Sequence, residues 1–113
     1  MSQITTHVLD TSLGKAAVNV PVLLELQIAD AQWKTLDHGV TDTDGRLKNL
    51  LGTNALEAGT YRLIFNTGVY FGARGVKTFY PQVIVTFEVT NSREHYHVPL
   101  LLSPYGYSTY RGS

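Results

Sequence analysis

The chain has 113 residues, of which 43% are hydrophobic and 16% charged, and this composition predicts one folded domain spanning residues 1–113. Nine basic residues balance nine acidic ones, so we expect no nucleic-acid partner, because no broad positive field is available for phosphates. The absence of cysteine excludes disulfides, a thiolate nucleophile and a cysteine zinc site. A domain this small builds a shared pocket between subunits more easily than an enclosed one.

The start of the chain carries no export signal that we can identify. Residues 1–10 contain neither a charged start nor an apolar run of about seven or more residues. No stretch approaches the ~20 apolar residues of a membrane span. We therefore expect a cytoplasmic protein without a membrane partner, or a periplasmic one if a signal segment has been removed.

The first half of the sequence predicts strands, because its hydrophobic pattern has a period of two. Residues 4–9 alternate and are rich in β-branched side chains, so they predict a first strand that ends at the turn-prone residues 10–14. Residues 18–28 predict a second strand, with Pro21 indicating an edge or an unpaired start. Residues 33–36 are expected to pair back on it as a third strand.

A turn signal and a glycine-containing segment occupy the middle of the chain. Residues 42–46 read Asp-Thr-Asp-Gly-Arg, a strong turn signal that places Arg46 just past a tight turn. Residues 61–66 alternate again and predict another strand. Residues 67–77 contain three glycines and are expected to connect strands, with one short helix at most.

The last third predicts three more strands. Residues 83–89 and 96–102 are expected to form two long antiparallel strands joined by residues 91–93, and residues 105–110 supply a final strand. Seven or eight short strands with regular turn signals predict an all-β sandwich.

A packed sandwich leaves three features unexplained: several histidines, the lone Arg46 and the polar tail 107–113. Alternation places His7 and His97 on strand faces that point away from the core. The ordinary alternatives are surface histidines, a solvated arginine and a frayed tail. His95 shares the face of His97, so a zinc site with His7 as third ligand is conceivable, although the spacing does not favour it.

Four segments resemble the 5-hydroxyisourate hydrolase, or transthyretin-like, family. They are residues 6–10 (THVLD), 43–46 (TDGR), 95–103 (HYHVPLLLS) and the terminal 110–113 (YRGS). The segments occur in the family's order and run from the first predicted strand to the last residue. One of them would be weak evidence, but four in order make the resemblance specific.

The resemblance implies a fold, an assembly and an activity. The fold is the transthyretin-like sandwich of two antiparallel four-stranded sheets with one short helix. The assembly is a homotetramer, a dimer of dimers, with active sites in the channel between dimers. The activity is hydrolysis of the cyclic amide of 5-hydroxyisourate to 2-oxo-4-hydroxy-4-carboxy-5-ureidoimidazoline in urate degradation, without a cofactor or metal.

The resemblance also implies which residues are catalytic and which bind substrate. The catalytic residues fall on His7, Arg46 and His97, and either histidine is a candidate for the general base. Those implied to bind substrate are His7, Arg46, Tyr110, Arg111, Gly112 and Ser113. Two other readings stay open: a carrier that holds a small aromatic ligand in the tetramer channel, and a structural sandwich that assembles through the edge formed by residues 83–89.

Overall fold

The computed structural model describes residues 2–52 and 54–113 as nine strands and one helix. In chain order these elements are β1 (Ile4–Asp10), β2 (Lys15–Ala16), β3 (Pro21–Ala29), β4 (Gln32–Val40), β5 (Arg46–Leu47), β6 (Gly59–Phe65), α1 (Thr67–Ala73), β7 (Val83–Val89), β8 (Tyr96–Ser103) and β9 (Gly106–Thr109). In the described ranges, no helix is long and apolar enough to cross a membrane.

The strands form two sheets. The first sheet has the order β2-β1-β8-β9, with the short β5 also paired to β1, and the second has the order β4-β3-β6-β7. The predicted all-β sandwich with one short helix is therefore confirmed. The first sheet differs from the expected four antiparallel strands, because it has a fifth short strand and because β1 and β8 run parallel.

The core lies between the two sheets and is built by alternate residues of each strand. Val8 and Leu100 from the first sheet, and Leu24 and Leu63 from the second, are completely buried. Each such side chain contributes about 1.5–3 kcal/mol through its removal from water. Because inward residues alternate with outward ones, the core fixes which side chains reach the outer face of each sheet.

A buried carboxylate ties the helix to the first strand. Asp10 has no exposed surface and accepts hydrogen bonds from the Tyr70 hydroxyl at 2.7 Å and from Arg74 Nη1 at 3.0 Å. Tyr70 lies in α1, and Arg74 caps its end. The predicted short helix within residues 67–77 is present, and this cluster holds it against the end of β1.

The prediction that residues 83–89 and 96–102 form one antiparallel pair was wrong. β7 pairs with β6 in the second sheet, whereas β8 pairs with β1 in the first. Each strand has one buried face, so placing the two in opposite layers buries both against the same core. The connection crosses between the layers, where the Tyr96 hydroxyl accepts from the backbone N–H of Asn91 at 3.1 Å.

Two details of the second predicted strand also differ. β3 lies between β4 and β6, so it is a central strand, and Pro21 is tolerated because it is the first residue of β3. At the other end Ile28 is 59% exposed, since β3 has passed beyond the core there. The expected pairing of residues 33–36 with this strand is confirmed, and the paired strand is longer than predicted.

Candidate active site

The register of the first sheet brings distant polar residues to one outer face. His7 on β1 lies opposite Arg46 on β5, and Thr5 on β1 lies opposite His97 on β8. Adjacent residues on neighbouring strands point to the same side of a sheet, and their neighbours point to the other. Thr6 accordingly turns inward, has no exposed surface and donates to the Val98 carbonyl at 2.6 Å.

A tight turn sets the position of Arg46. Asp42 Oδ1 accepts from the backbone N–H groups of Asp44 and Arg46, both at 2.9 Å. Gly45 has a φ of 75° and a β-carbon there would collide with the Val8 carbonyl, so the turn requires glycine. The Arg46 amide holds the pKa of Asp42 below its usual value, although desolvation opposes the shift. The Arg46 side chain is exposed beside β1.

His7 is fixed by the backbone of the same turn. Its Nε2 lies 2.9 Å from the Asp44 carbonyl oxygen. A carbonyl can only accept, so His7 Nε2 must carry the hydrogen and donate it. The half-buried His7 ring is therefore oriented by the Asp44 carbonyl, which acts as a hydrogen-bond acceptor at every pH.

His97 is held by a hydroxyl on one side and by the tail on the other. Its Nδ1 lies 2.8 Å from Thr5 Oγ1, and its carbonyl accepts from the Gly112 N–H at 2.8 Å. Burial lowers the pKa of His97 below its usual value. Coulombic interactions with nearby His95, His7 and Arg46 lower this pKa further. His97 is consequently a neutral imidazole near pH 7, as a general base must be.

The C-terminal tail continues the sheet beyond β9 and packs against His97. A β-carbon at Gly112 would come within 2.5 Å of His97 Cδ2 and 3.2 Å of Pro99 Cγ, so only glycine fits without displacement. Arg111 forms an ion pair with Glu94 at 2.9 Å, and its guanidinium lies 4.6 Å from the centre of the Tyr96 ring. These contacts anchor the end of the chain at the site.

A cavity of about 140 Å³ opens where these elements meet. It is lined by Thr5, Thr6, Arg46, Lys48, His95, His97 and Ser113. Two histidines, two cationic residues and Ser113 thus border one space. Such a set can withdraw a proton from water and stabilise a negative charge that develops on an attacked carbonyl.

Some of the predicted site residues line the cavity, and others do not. Arg46, His97 and Ser113 line the cavity, and His7 lies beside Arg46 on the same face. Tyr110 is 58% exposed and Arg111 turns toward Glu94, so within a single chain neither belongs to the described lining of the cavity. Direct contact of these two side chains with substrate stays a prediction.

Sequence reasoning missed Thr5 and Lys48 as site residues. Thr5 precedes His7 by two positions and Lys48 follows Arg46 by two, so alternation along a strand would have put each on the functional face. The significance of Thr5 depends on its contacts with His95 and His97, which are visible only once β1 and β8 are paired. Lys48 is recognised only because it lines the same cavity. Within the described ranges, no group of three or more His, Cys, Asp or Glu side chains is arranged to hold a metal ion.

A larger cavity of about 560 Å³ lies on the outer face of the second sheet. Its lining is mostly apolar and includes Pro21, Leu23, Val40 and Ile64, with His38 at its margin. We expect chemistry in the smaller cavity, because its lining combines histidines with cationic side chains, whereas the described lining of the larger one includes neither Lys nor Arg.

The chain is similar to known proteins along nearly its whole length. The HIUase/Transthyretin family matches residues 4–112. A 5-hydroxyisourate hydrolase of Salmonella typhimurium is 51% identical over 110 residues, which are 97% of this chain and 80% of that protein. The structure of Klebsiella pneumoniae 5-hydroxyisourate hydrolase is 34% identical with a TM-score of 0.85, covering 97% of this chain and 92% of that one. Sea bream transthyretin in complex with thyroxine is 31% identical with a TM-score of 0.92, covering 98% and 95%.

Proposed function

Because the chain belongs to the HIUase/Transthyretin family, we propose that it is a hydrolase that opens the ring of 5-hydroxyisourate in urate degradation. The observation that carries this proposal is the meeting of His97, Arg46 and Ser113 at one cavity, with His7 beside it. Packing a sandwich requires none of these groups on an outer face, whereas hydrolysis of an amide requires a base and a stabiliser of negative charge.

The site supports a direct attack by water. His97 takes a proton from a water molecule while the water oxygen forms a bond to the ring carbonyl carbon, and a negative charge develops on the carbonyl oxygen. Arg46 stabilises that charge through its permanently charged, planar set of donors. When the intermediate collapses, the carbon–nitrogen bond of the cyclic amide breaks and the proton passes to the leaving nitrogen. The product is 2-oxo-4-hydroxy-4-carboxy-5-ureidoimidazoline.

The positions of the two histidines favour His97 as the base. Since His7 Nε2 donates to the Asp44 carbonyl, only its Nδ1 could accept a proton, and His7 does not belong to the described lining of the cavity, whereas His97 does. His7 then orients the substrate together with Arg46. Tyr110 to Ser113 complete the substrate site from the tail, with Gly112 allowing the close approach to His97.

We also propose a homotetramer, a dimer of dimers, in which neighbouring chains complete the site. The cavity of about 140 Å³ is smaller than the roughly 300–1,000 Å³ of typical small-molecule sites. β7 and β9 are edge strands, and Tyr105, Tyr107 and Tyr110 are 70%, 42% and 58% exposed. Edges and exposed aromatic side chains favour association. Native mass spectrometry should give four times the mass of one chain, and a monomer at micromolar concentration would contradict the proposal.

The decisive test of the activity follows freshly generated 5-hydroxyisourate by its absorbance, with and without enzyme and chelator. We expect strong acceleration over spontaneous decay and no effect of the chelator, since the mechanism uses no metal. Decay at the spontaneous rate would instead favour the alternative of a carrier for a small aromatic ligand. Loss of activity with chelator, restored by zinc, would contradict the metal-free mechanism.

A further inference from the structure

We propose that Thr5 is a positioning residue that fixes the tautomer of His97 by giving its own hydroxyl hydrogen to His95. The inference rests on the proposed hydrolase function, because it explains how His97 is kept able to accept a proton. Thr5 is only 3% exposed. Its Oγ1 lies 2.8 Å from His97 Nδ1 and 3.0 Å from His95 Nε2, so one hydroxyl bridges two imidazoles.

The bridge allows only two complementary arrangements when both rings are neutral. A hydroxyl has one hydrogen to donate, and a neutral imidazole has one nitrogen that donates and one that accepts. In the first arrangement His97 Nδ1–H donates to Thr5, and Thr5 donates to His95 Nε2. In the second, His95 Nε2–H donates to Thr5, and Thr5 donates to His97 Nδ1. The tautomers of the two histidines are therefore linked through a single hydrogen.

Only the first arrangement suits a general base. It leaves the lone pair on His97 Nε2, whereas the second puts a hydrogen on that nitrogen. His97 is held neutral by burial and by nearby positive charge, so its reactivity depends on which nitrogen carries the hydrogen. Because Thr5 is almost fully covered, bulk water does not readily replace either partner.

His95 thereby acquires a role without contacting the reacting atoms. Its ring lies with its centre 6.3 Å from that of His97 and is inclined by 21° to it. As the acceptor for Thr5, His95 makes the hydroxyl oxygen available to accept from His97. Without that acceptor, the Thr5 hydroxyl would donate to His97 Nδ1 and stabilise the wrong tautomer.

The contrast with His7 strengthens the inference. The Asp44 carbonyl determines the tautomer of His7 without help from any other side chain. For His97 Nδ1 the side-chain partner is a hydroxyl, which can donate or accept, so a neighbouring acceptor such as His95 can set the direction of this hydrogen bond. His95 lies at the required distance on the other side of Thr5.

The test reads the tautomer directly by nitrogen-15 NMR of histidine-labelled protein, at a pH where His97 is neutral. In the unaltered chain we expect His97 Nδ1 protonated and Nε2 unprotonated. Thr5→Ser should keep the hydrogen of His97 on Nδ1. Thr5→Val should remove the preference for Nδ1, and His95→Phe should move the hydrogen to Nε2. An Nε2-protonated His97 in the unaltered chain, or an unchanged tautomer in Thr5→Val, would overturn the proposal.

Kinetics supply a second readout that a merely structural residue would not give. Thr5→Val should lower kcat about tenfold or more with KM within about twofold, while Thr5→Ser should stay within about threefold of the original kcat. The double variant Thr5→Val, His95→Phe should be no slower than Thr5→Val alone, since the hydroxyl that imposes the wrong tautomer is gone. Additive losses, or equal losses in Thr5→Ser and Thr5→Val, would contradict the proposal. An inactive unaltered enzyme would refute the hydrolase function but leave the NMR result interpretable.

Discussion

The outer faces of the two sheets differ in what they can do, although both belong to the same sandwich. The face of the second sheet has the larger cavity, about 560 Å³, with apolar side chains such as Leu23 and Ile64. The cavity at His97 on the face of the first sheet is smaller, about 140 Å³, but Arg46 and His97 line it. This difference predicts that chemistry takes place where titratable and charged groups converge rather than where the cavity is larger.

The largest difference between the faces should come from matched histidine substitutions. His97→Ala removes the proposed base and should lower kcat about a hundred- to ten-thousand-fold. His38→Ala makes the same change on the second sheet, where His38 borders the larger cavity, and should leave turnover within about twofold. Steady-state kinetics and thermal unfolding of both variants check this. Comparable losses of activity, or near-normal turnover of His97→Ala, would remove the distinction between the faces.

A smaller loss is expected from Arg46→Lys. The substitution keeps the charge but loses the planar set of donors, so we expect a fall in kcat/KM of about a hundredfold with little change in melting temperature. Arg93→Lys, at an exposed position in the connection between the sheets, serves as the control and should change neither kcat/KM nor the melting temperature. If Arg46→Lys lowers the melting temperature as severely as the rate, Arg46 is a structural residue instead.

Gly112→Ala should weaken activity about tenfold, because the new β-carbon would displace the tail or the His97 ring. The control is Gly106→Ala in β9, where a β-carbon would meet only Ser103 Oγ at an ordinary 3.6 Å. Both variants should fold. Full activity of Gly112→Ala would show that the tail does not position His97.

The smallest effect is expected in the pH profile of the unaltered enzyme. Because the pKa of His97 is lowered and only its neutral form accepts a proton, kcat/KM should fall toward acid with a midpoint below the ordinary imidazole value of about 6.5. At pH 6.5 the enzyme should therefore retain more than half of its plateau activity. Arg46→Lys keeps the positive charge and should keep this midpoint. A midpoint above the ordinary value would argue against His97 as the base.

Local sequence determined the longer strands, the turn before Arg46 and the outward direction of His7 and His97, but not the two-residue strands β2 and β5. Alternation along a strand needs no tertiary information, because a side chain's face depends only on its position in the strand. The Asp-Thr-Asp-Gly-Arg turn is likewise local, since its hydrogen bonds join Asp42 to residues two and four positions away. The cytoplasmic location, the single-domain division and the roles of individual site residues stay predictions.

Only the tertiary structure decided which strands are neighbours. The parallel pairing of β1 with β8 joins residues about 90 positions apart, and it makes Thr5 the bridge between His95 and His97. Alternation says which way a side chain points but not which strand lies beside it, because any strand with one apolar face can pack on the same core. For the same reason a turn-like connection suggested a hairpin between residues 83–89 and 96–102, whereas burial of both apolar faces placed these strands in opposite sheets.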